Sequence, residues 1–215
     1  MLFRSRLVHA FLLALCLLPL GARAADPLYI EGTHYERLEE PVRTADPSRI
    51  EVVELFWYGC THCYHFEPLL LKWRPTIGKD VDFHRSPAMW NKLMAVHAQA
   101  YYAAETLGVL EKLNQPLFDA LNVNRKRLET EDEIAEIFVA NGVKDADFHK
   151  VFNSFGVQSK VKQADARQRS YKTTGTPEII VNGKYRVSAR LAGSPEAMLK
   201  VVDFLVDKER AAKGG

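Results

Sequence analysis

Residues 56–66 read Phe56-Trp57-Tyr58-Gly59-Cys60-Thr61-His62-Cys63-Tyr64-His65-Phe66 and place two cysteines three positions apart. The preceding residues, 50–57, are rich in β-branched and aromatic side chains, which predicts a largely buried strand. Tyr58-Gly59 ends this strand, and the residues that follow are expected to form a helix. The stretch therefore predicts a junction between a strand and a helix, with the cysteine pair at the start of the helix.

This junction is chemically suited to thiol–disulfide exchange. If Cys60 is the N-cap of the helix, the free N–H groups of the first turn favour its thiolate over its thiol. Cys63 lies one helical turn further on, and residues i and i+3 share a face, so the two sulfurs can form a disulfide without moving the backbone. His62 is a second candidate for stabilising the thiolate. We therefore predict that Cys60 and Cys63 form a redox-active disulfide.

A structural disulfide and a metal site are the alternatives for such a pair. A bridge between near neighbours removes little entropy from the unfolded chain, so it is a weak structural cross-link. A metal site needs more ligands, but His62 and His65 point away from the helix face shared by the cysteines, and the sequence has no second CxxC. Redox chemistry is the favoured interpretation, and neither a metal nor another cofactor is expected.

The first 24 residues have the layout of a secretory signal. Arg4 and Arg6 precede an apolar run over residues 7–20, and residues 22–24 supply a small-x-small cleavage pattern. The apolar run is short for a membrane span and is broken by a proline. We therefore expect an exported protein that begins at Ala25 and has 215 − 24 = 191 residues.

Removal of this segment changes both the cysteine count and the charge. It takes away Cys16 and leaves 3 − 1 = 2 cysteines, Cys60 and Cys63. It also removes three arginines and no acids, so the formal net charge falls from +2 to 2 − 3 = −1. That charge gives no support for binding to nucleic acids or anionic membranes. An exported protein that keeps a single close cysteine pair is expected to use it as a reagent rather than as a scaffold.

Helical periodicity dominates residues 91–171. Thr130 and Glu133 predict a capping box at the start of one helix, whereas Pro116 is expected to interrupt an earlier one. A polar helix is predicted over residues 159–171. About eighty residues of short helices within a strand-containing chain indicate an inserted helical subdomain.

Segments with β-type composition flank this helical region. Residues 25–49 predict a polar lead-in with one edge strand, and residues 81–85 are a candidate for a short strand. Residues 178–181 and 184–188 are separated by an Asn-Gly pair, which predicts a hairpin. Ser194, followed by a proline, predicts the start of a final amphipathic helix.

The order of these elements resembles the thioredoxin superfamily, in the form that carries a DsbA-type helical domain. Residues 56–67 resemble the active-site block of the DsbA family, and Gly175-Thr176-Pro177 resembles the loop whose proline is cis in the superfamily. The resemblance covers nearly the whole mature chain and implies an α/β protein: a thioredoxin fold with an inserted all-helical subdomain. The expected division is a signal peptide over 1–24, the first part of the thioredoxin fold over 25–88, the helical domain over 89–171 and the second part of the thioredoxin fold over 172–215.

The resemblance also implies roles for the site residues. Cys60 would be the exposed cysteine that attacks and leaves, with Cys63 as its buried partner. Thr176 and Pro177 would bind an extended substrate peptide. Glu54 matches the buried acid of the superfamily, which is suited to taking a proton from Cys63; its alternative is an acid on an exposed strand edge.

Two positions depart from the family's common pattern. The family more often has proline where this chain has Thr61, and valine where it has Thr176. Each threonine adds a polar group near the cysteine pair, so both are expected to tune its redox balance. Glu67 matches an acid that follows the motif in the family.

The resemblance implies a periplasmic thiol:disulfide oxidoreductase that donates the Cys60–Cys63 disulfide to exported proteins. The expected partners are unfolded or partly folded proteins with free cysteines and an inner-membrane protein that reoxidises the pair; the chain itself is expected to be a monomer. Two alternatives stay open. One is an isomerase or reductase kept reduced by another partner, and the other is a redox-inert chaperone that binds peptides at the Pro177 surface alone.

Overall fold

The computed structural model describes residues 28–214, which form one mixed sheet with helices packed on it. The predicted signal segment, residues 1–24, lies outside the described residues. The strands are β1 Glu36–Arg37, β2 Ile50–Phe56, β3 Val81–Pro87, β4 Glu178–Val181 and β5 Tyr185–Ser188. The helices are α1 Thr61–Trp73, α2 Lys92–Thr106, α3 Leu110–Asn122, α4 Glu131–Ala140, α5 Asp145–Phe152, α6 Phe155–Tyr171, α7 Ala189–Ala192 and α8 Pro195–Gly214, with a short 3-10 helix Arg74–Thr76 after α1. Among these helices none has the length and apolarity needed to cross a membrane.

Strand β2 lies inside the sheet, whose order is β1-β5-β4-β2-β3. It pairs in parallel with β3 and antiparallel with β4. All seven of its residues are buried, as its β-branched and aromatic composition predicts. Glu54 lies in this strand with a relative exposure of 1%, so the alternative of an acid on an exposed edge is wrong. Strand β1 lies at one edge of the sheet, as predicted for residues 25–49, and β3 lies at the other.

Two hydrophobic cores meet at the junction between β2 and α1. One core contains Phe66 and Leu70 of α1 together with Val202 and Leu205 of α8. The other core fills the helical region α2–α6, and it includes residues from the junction itself: Phe56, Tyr58 and Cys63. The cysteine-bearing junction is therefore packed against both parts of the molecule.

Helices α2–α6 lie between β3 and β4 in the chain, where helical periodicity predicted them. The capping box of Thr130 and Glu133 is confirmed at the start of α4. The predicted interruption at Pro116 is wrong, because α3 continues through it. Leu113, Leu117 and Phe118 of α3 are buried, and we attribute the continuity to this burial, which offsets the hydrogen bond lost at proline. Helix α6 begins four residues before the predicted Ser159, where Ser154 caps it.

The predicted hairpin is confirmed between β4 and β5. Asn182 and Gly183 have φ angles of 51° and 61°, in the left-handed region that such a turn requires. A Cβ on Gly183 would lie 1.9 Å from the carbonyl oxygen of Val42, whose own N–H donates to the Gly183 carbonyl at 2.8 Å. Only glycine fits this close approach.

Candidate active site

Cys60 is the N-cap of α1, as the sequence predicted. Its φ and ψ angles are −89° and 113°, and its Sγ accepts a hydrogen bond from the backbone N–H of Cys63 at 3.4 Å. Its own N–H donates to the carbonyl oxygen of Trp57 at 3.0 Å. Both cysteines are free thiols in this structure, and Cys60 is partly exposed whereas Cys63 is fully buried. The solvent-accessible sulfur is therefore that of Cys60, at the N-terminus of α1.

Several hydrogen bonds stabilise the thiolate form of Cys60. The thiol of Cys63 contributes most, followed by the hydroxyl of Thr176 and the backbone N–H groups of Cys63 and His62. Together they outweigh the burial of the sulfur and lower the pKa of Cys60 to about 5. Cys60 is therefore a thiolate at neutral pH, and a thiol of low pKa is a good leaving group in disulfide exchange.

Cys63 has the opposite tendency. Burial raises the pKa of its thiol well above the usual value, and its hydrogen bond to Cys60 and the charges of Cys60 and Glu54 add to the effect. The buried sulfur therefore keeps its proton and donates it in a hydrogen bond to the ionised one. This arrangement favours the reduced pair, because the charge on Cys60 is stabilised by its own partner.

The Thr176–Pro177 peptide bond is cis, and the carbonyl oxygen of Thr176 lies 3.3 Å from Sγ of Cys60. The sheet explains why residues 116 positions apart meet. Because β4 runs antiparallel to β2, with Glu178 paired to Leu55, the loop before β4 lies beside the loop after β2. The structure thus brings the two predicted motifs together.

A groove of about 430 Å³ adjoins this loop. His62 and the residues of the cis-proline loop line one part of it, and charged side chains line another: Glu36, Glu178, Arg186 and Arg190. The effect of His62 on the pKa of Cys60 comes from its backbone N–H. Thr61 is the exposed first residue of α1. The groove lies beside the loop whose Thr176 carbonyl oxygen contacts Sγ of Cys60.

A buried cluster of charged side chains contains the predicted acid Glu54. Arg85 donates from Nη2 to both carboxylate oxygens of Glu67 at 2.7 and 2.8 Å, and Asn114 donates to Glu67 at 2.9 Å. Glu54 receives a hydrogen bond from Arg85 Nε at 3.1 Å. Burial raises the pKa of Glu54 to about 7, although the charge of Arg85 opposes the shift. Glu54 can therefore gain or lose a proton near neutral pH.

Arg85 and Asn114 were not predicted from the sequence to belong to the site. Arg85 lies in β3 directly opposite Glu54 in the parallel register. An arginine inside a short strand candidate was the available signal, since a buried arginine needs an acidic partner. Asn114 had no such signal, because its position depends on how α3 packs against α1.

Within residues 28–214 no group of three or more histidine, cysteine or acidic side chains is arranged to hold a metal ion.

Comparisons with known proteins agree with this geometry. A sequence model of the family described as "DSBA-like thioredoxin domain" matches residues 70–199. The chain is 42% identical over 209 residues to the thiol:disulfide interchange protein DsbA of Pseudomonas syringae pv. tomato. This alignment covers 97% of each chain. The crystal structure of Pseudomonas aeruginosa DsbA superposes with a TM-score of 0.84 at 40% identity, covering 87% of this chain and 97% of that one.

A second solved structure, the oxidoreductase DsbA from Xylella fastidiosa, has a TM-score of 0.80 at 33% identity and covers 86% of this chain and 99% of that one. The match of the family model begins after the CxxC motif, but the alignment with the Pseudomonas syringae relative spans nearly the whole chain. With its thioredoxin fold, its helical insertion and its cysteine pair facing a cis-proline loop, the chain belongs to the DsbA family.

Proposed function

We propose that this protein is a thiol:disulfide oxidoreductase that donates the Cys60–Cys63 disulfide to exported proteins with free cysteines. The observation that carries the proposal is the opposite ionisation of the two sulfurs. The pKa of Cys60 is lowered to about 5, whereas the pKa of Cys63 is raised. Because the reduced pair is stabilised in this way, the oxidised protein gives up its disulfide readily and passes to the more stable reduced form.

The reaction begins when a thiolate of the substrate attacks Sγ of Cys60 in the oxidised protein. A bond forms between the substrate sulfur and Cys60, the Cys60–Cys63 bond breaks, and Cys63 leaves with the electron pair. Cys63 then takes a proton, because its pKa is raised by burial. We assign the delivery of this proton to Glu54, whose pKa of about 7 keeps about half of it protonated at neutral pH.

In the second step another thiolate of the substrate attacks the substrate sulfur of the mixed disulfide. The substrate disulfide forms and Cys60 leaves as a thiolate. Two electrons have then passed from the substrate to the cysteine pair. Cys63 holds the proton from Glu54, both substrate thiols have released their protons to solvent, and Glu54 regains one of them, so one proton is released overall. Thr176 and Pro177 hold the substrate segment beside Cys60, and Thr61 and Thr176 tune the redox balance.

The family resemblance supports a place for this reaction in the periplasm. The secretory signal over residues 1–24 would be removed before Ala25, and the reduced pair would be reoxidised by an inner-membrane protein. The clients would be unfolded or partly folded exported proteins. We propose that the chain acts as a monomer, with the thioredoxin fold over 25–88 and 172–215 and the helical domain over 89–171.

The redox equilibrium with glutathione tests the proposal. We expect the pair to be fully reduced at glutathione ratios that leave ordinary structural disulfides intact, and the oxidised protein to oxidise a reduced dithiol peptide. A Cys60→Ala variant should do neither. A strongly reducing equilibrium would select the isomerase or reductase instead, and client folding rescued by Cys60→Ala would select the chaperone.

A further inference from the structure

The three residues before Cys60 form a turn in which Trp57 makes two kinds of contact. Its carbonyl oxygen accepts the N–H of Cys60 at 3.0 Å. Its indole ring covers Gly59 so closely that a Cβ there would lie 2.4 Å from the ring atom Cζ2. Backbone and side chain of Trp57 therefore both determine where the turn places Cys60.

The indole ring is in turn held by His97, a buried residue of α2. The Nε1–H of Trp57 donates to Nδ1 of His97 at 2.9 Å, and the two ring planes are 16° from parallel with centroids 6.1 Å apart. The other ring nitrogen, Nε2, lies 3.2 and 3.1 Å from the carbonyl oxygens of Arg127 and Leu128. Neutral histidine with its proton on Nε2 is the form that satisfies all three contacts. Burial, which lowers the pKa of His97, favours the same neutral form.

A second side chain from the helical region holds the same turn. Asn122 of α3 donates from Nδ2 to the carbonyl oxygen of Tyr58 at 2.8 Å. The turn that presents Cys60 is thus anchored on α2 and on α3, in addition to its covalent attachment to β2.

We infer that His97 is a positioning residue for the reactive cysteine: by holding Trp57 it fixes the turn that aligns Sγ of Cys60 with its hydrogen-bond donors. The backbone N–H of Cys63 donates to this sulfur at 3.4 Å, an ordinary length for a sulfur acceptor. Such a bond weakens steeply when its geometry is disturbed. Loss of His97 therefore removes part of the stabilisation of the thiolate and raises the pKa of Cys60. The inference rests on the proposed function, in which that thiolate is the leaving group.

The first experiment compares two leucine variants of α2 by titrating the thiolate through its ultraviolet absorbance. His97→Leu should raise the pKa of Cys60 by about one unit, a tenfold change in thiolate affinity for the proton. Gln99→Leu is the matched control, because Gln99 also donates to a backbone carbonyl, that of Phe152 at 2.6 Å. It should leave the pKa of Cys60 unchanged, although it also removes a hydrogen bond of α2. If the His97→Leu protein folds and the pKa of Cys60 is the same as in the wild type, the inference is wrong.

A double-mutant cycle then tests whether His97 acts through Trp57. Trp57→Phe removes the indole N–H, so it should itself raise the pKa of Cys60. Adding His97→Leu to Trp57→Phe should produce no further shift. An undiminished effect of His97→Leu in the Trp57→Phe background would mean that His97 acts by another route, and the inference would be wrong.

Two outcomes keep the test decisive if His97→Leu does not fold, as judged by circular dichroism. His97→Gln retains an acceptor and a donor on one side chain and should stay closer to the original titration than Trp57→Phe. A Trp57→Phe protein in which the pKa of Cys60 equals the wild-type value would by itself overturn the inference. None of these titrations uses a substrate, so their failure alongside a strongly oxidising glutathione equilibrium would leave the proposed function intact.

Discussion

Thr176 contacts the sulfur of Cys60 with two groups that have opposite effects. Its carbonyl oxygen, 3.3 Å from Sγ, accepts from the thiol and so favours the protonated form. Its hydroxyl donates to the thiolate and lowers the pKa of Cys60. The side chain can be changed without the carbonyl, so the two effects are separable by mutation.

We therefore expect Thr176→Val to raise the pKa of Cys60. The variant keeps the carbonyl and loses the hydroxyl, and a hydrogen bond to a charged group corresponds to about one pKa unit or more. Thiolate titration measures the shift. Thr174→Val is the control, because Thr174 lies in the same loop and its hydroxyl donates to Glu178 of β4. An unchanged pKa in Thr176→Val would show that the hydroxyl does not act on the sulfur.

His62→Ala should change the pKa of Cys60 less than Thr176→Val does. The variant retains the backbone N–H through which His62 stabilises the thiolate. The same titration checks this, with His65→Ala as a control from the same helix. If His62→Ala instead had the larger effect, the charge of the imidazole would be the main contribution of His62.

Glu54 should make the stability of the folded protein fall as pH rises between about 4.5 and 7. Its pKa moves from 4.5 to about 7 on folding, so over this range the folded form binds a proton that the unfolded form has released. The loss is on the order of 3 kcal/mol by pH 8. Glu54→Gln should flatten this part of the curve, as measured by urea unfolding at a series of pH values.

The control for this pH series is Glu111→Gln, which changes an exposed acid of α3. This variant should leave unchanged the slope of the unfolding free energy against pH. A wild-type protein whose stability is constant between pH 5 and pH 8, tested in about half-unit steps, would contradict the raised pKa of Glu54.

Arg85→Met should strongly destabilise the protein at neutral pH. It leaves the buried carboxyl groups of Glu54 and Glu67 without their shared cation, a change that typically costs about 3–5 kcal/mol. Thermal or urea unfolding measures the loss of stability. The control is Arg74→Met, which breaks a more exposed ion pair with Glu111 and should lower the stability far less. Adding Glu54→Gln should recover part of the stability, and no recovery would argue against the charge explanation.

Much of this molecule was predictable because its signals are local. The junction before Cys60, the capping box at Thr130 and the Asn182-Gly183 turn depend on residues within a few positions of one another. The meeting of Cys60 with Thr176 was expected from the family resemblance alone.

Other parts depend on register and packing, which the sequence does not display. Arg85 faces Glu54 because β2 and β3 pair in one particular register, and His97 reaches Trp57 because α2 packs beside the turn. The continuity of α3 through Pro116 likewise depends on burial of its apolar face. In each case a tertiary contact decides what the local pattern leaves open.

The distance along the chain between Cys60 and Thr176 has a consequence for the timing of activity. A polypeptide made from its N-terminus presents Cys60 116 positions before the threonine that contacts it. Until β4 has been made and paired with β2, the loop to which we assign client binding is absent. Under the proposed function, the protein thus becomes competent for exchange only near the end of its synthesis and export, and chains truncated before β4 carry the cysteine pair without the proposed client-binding loop.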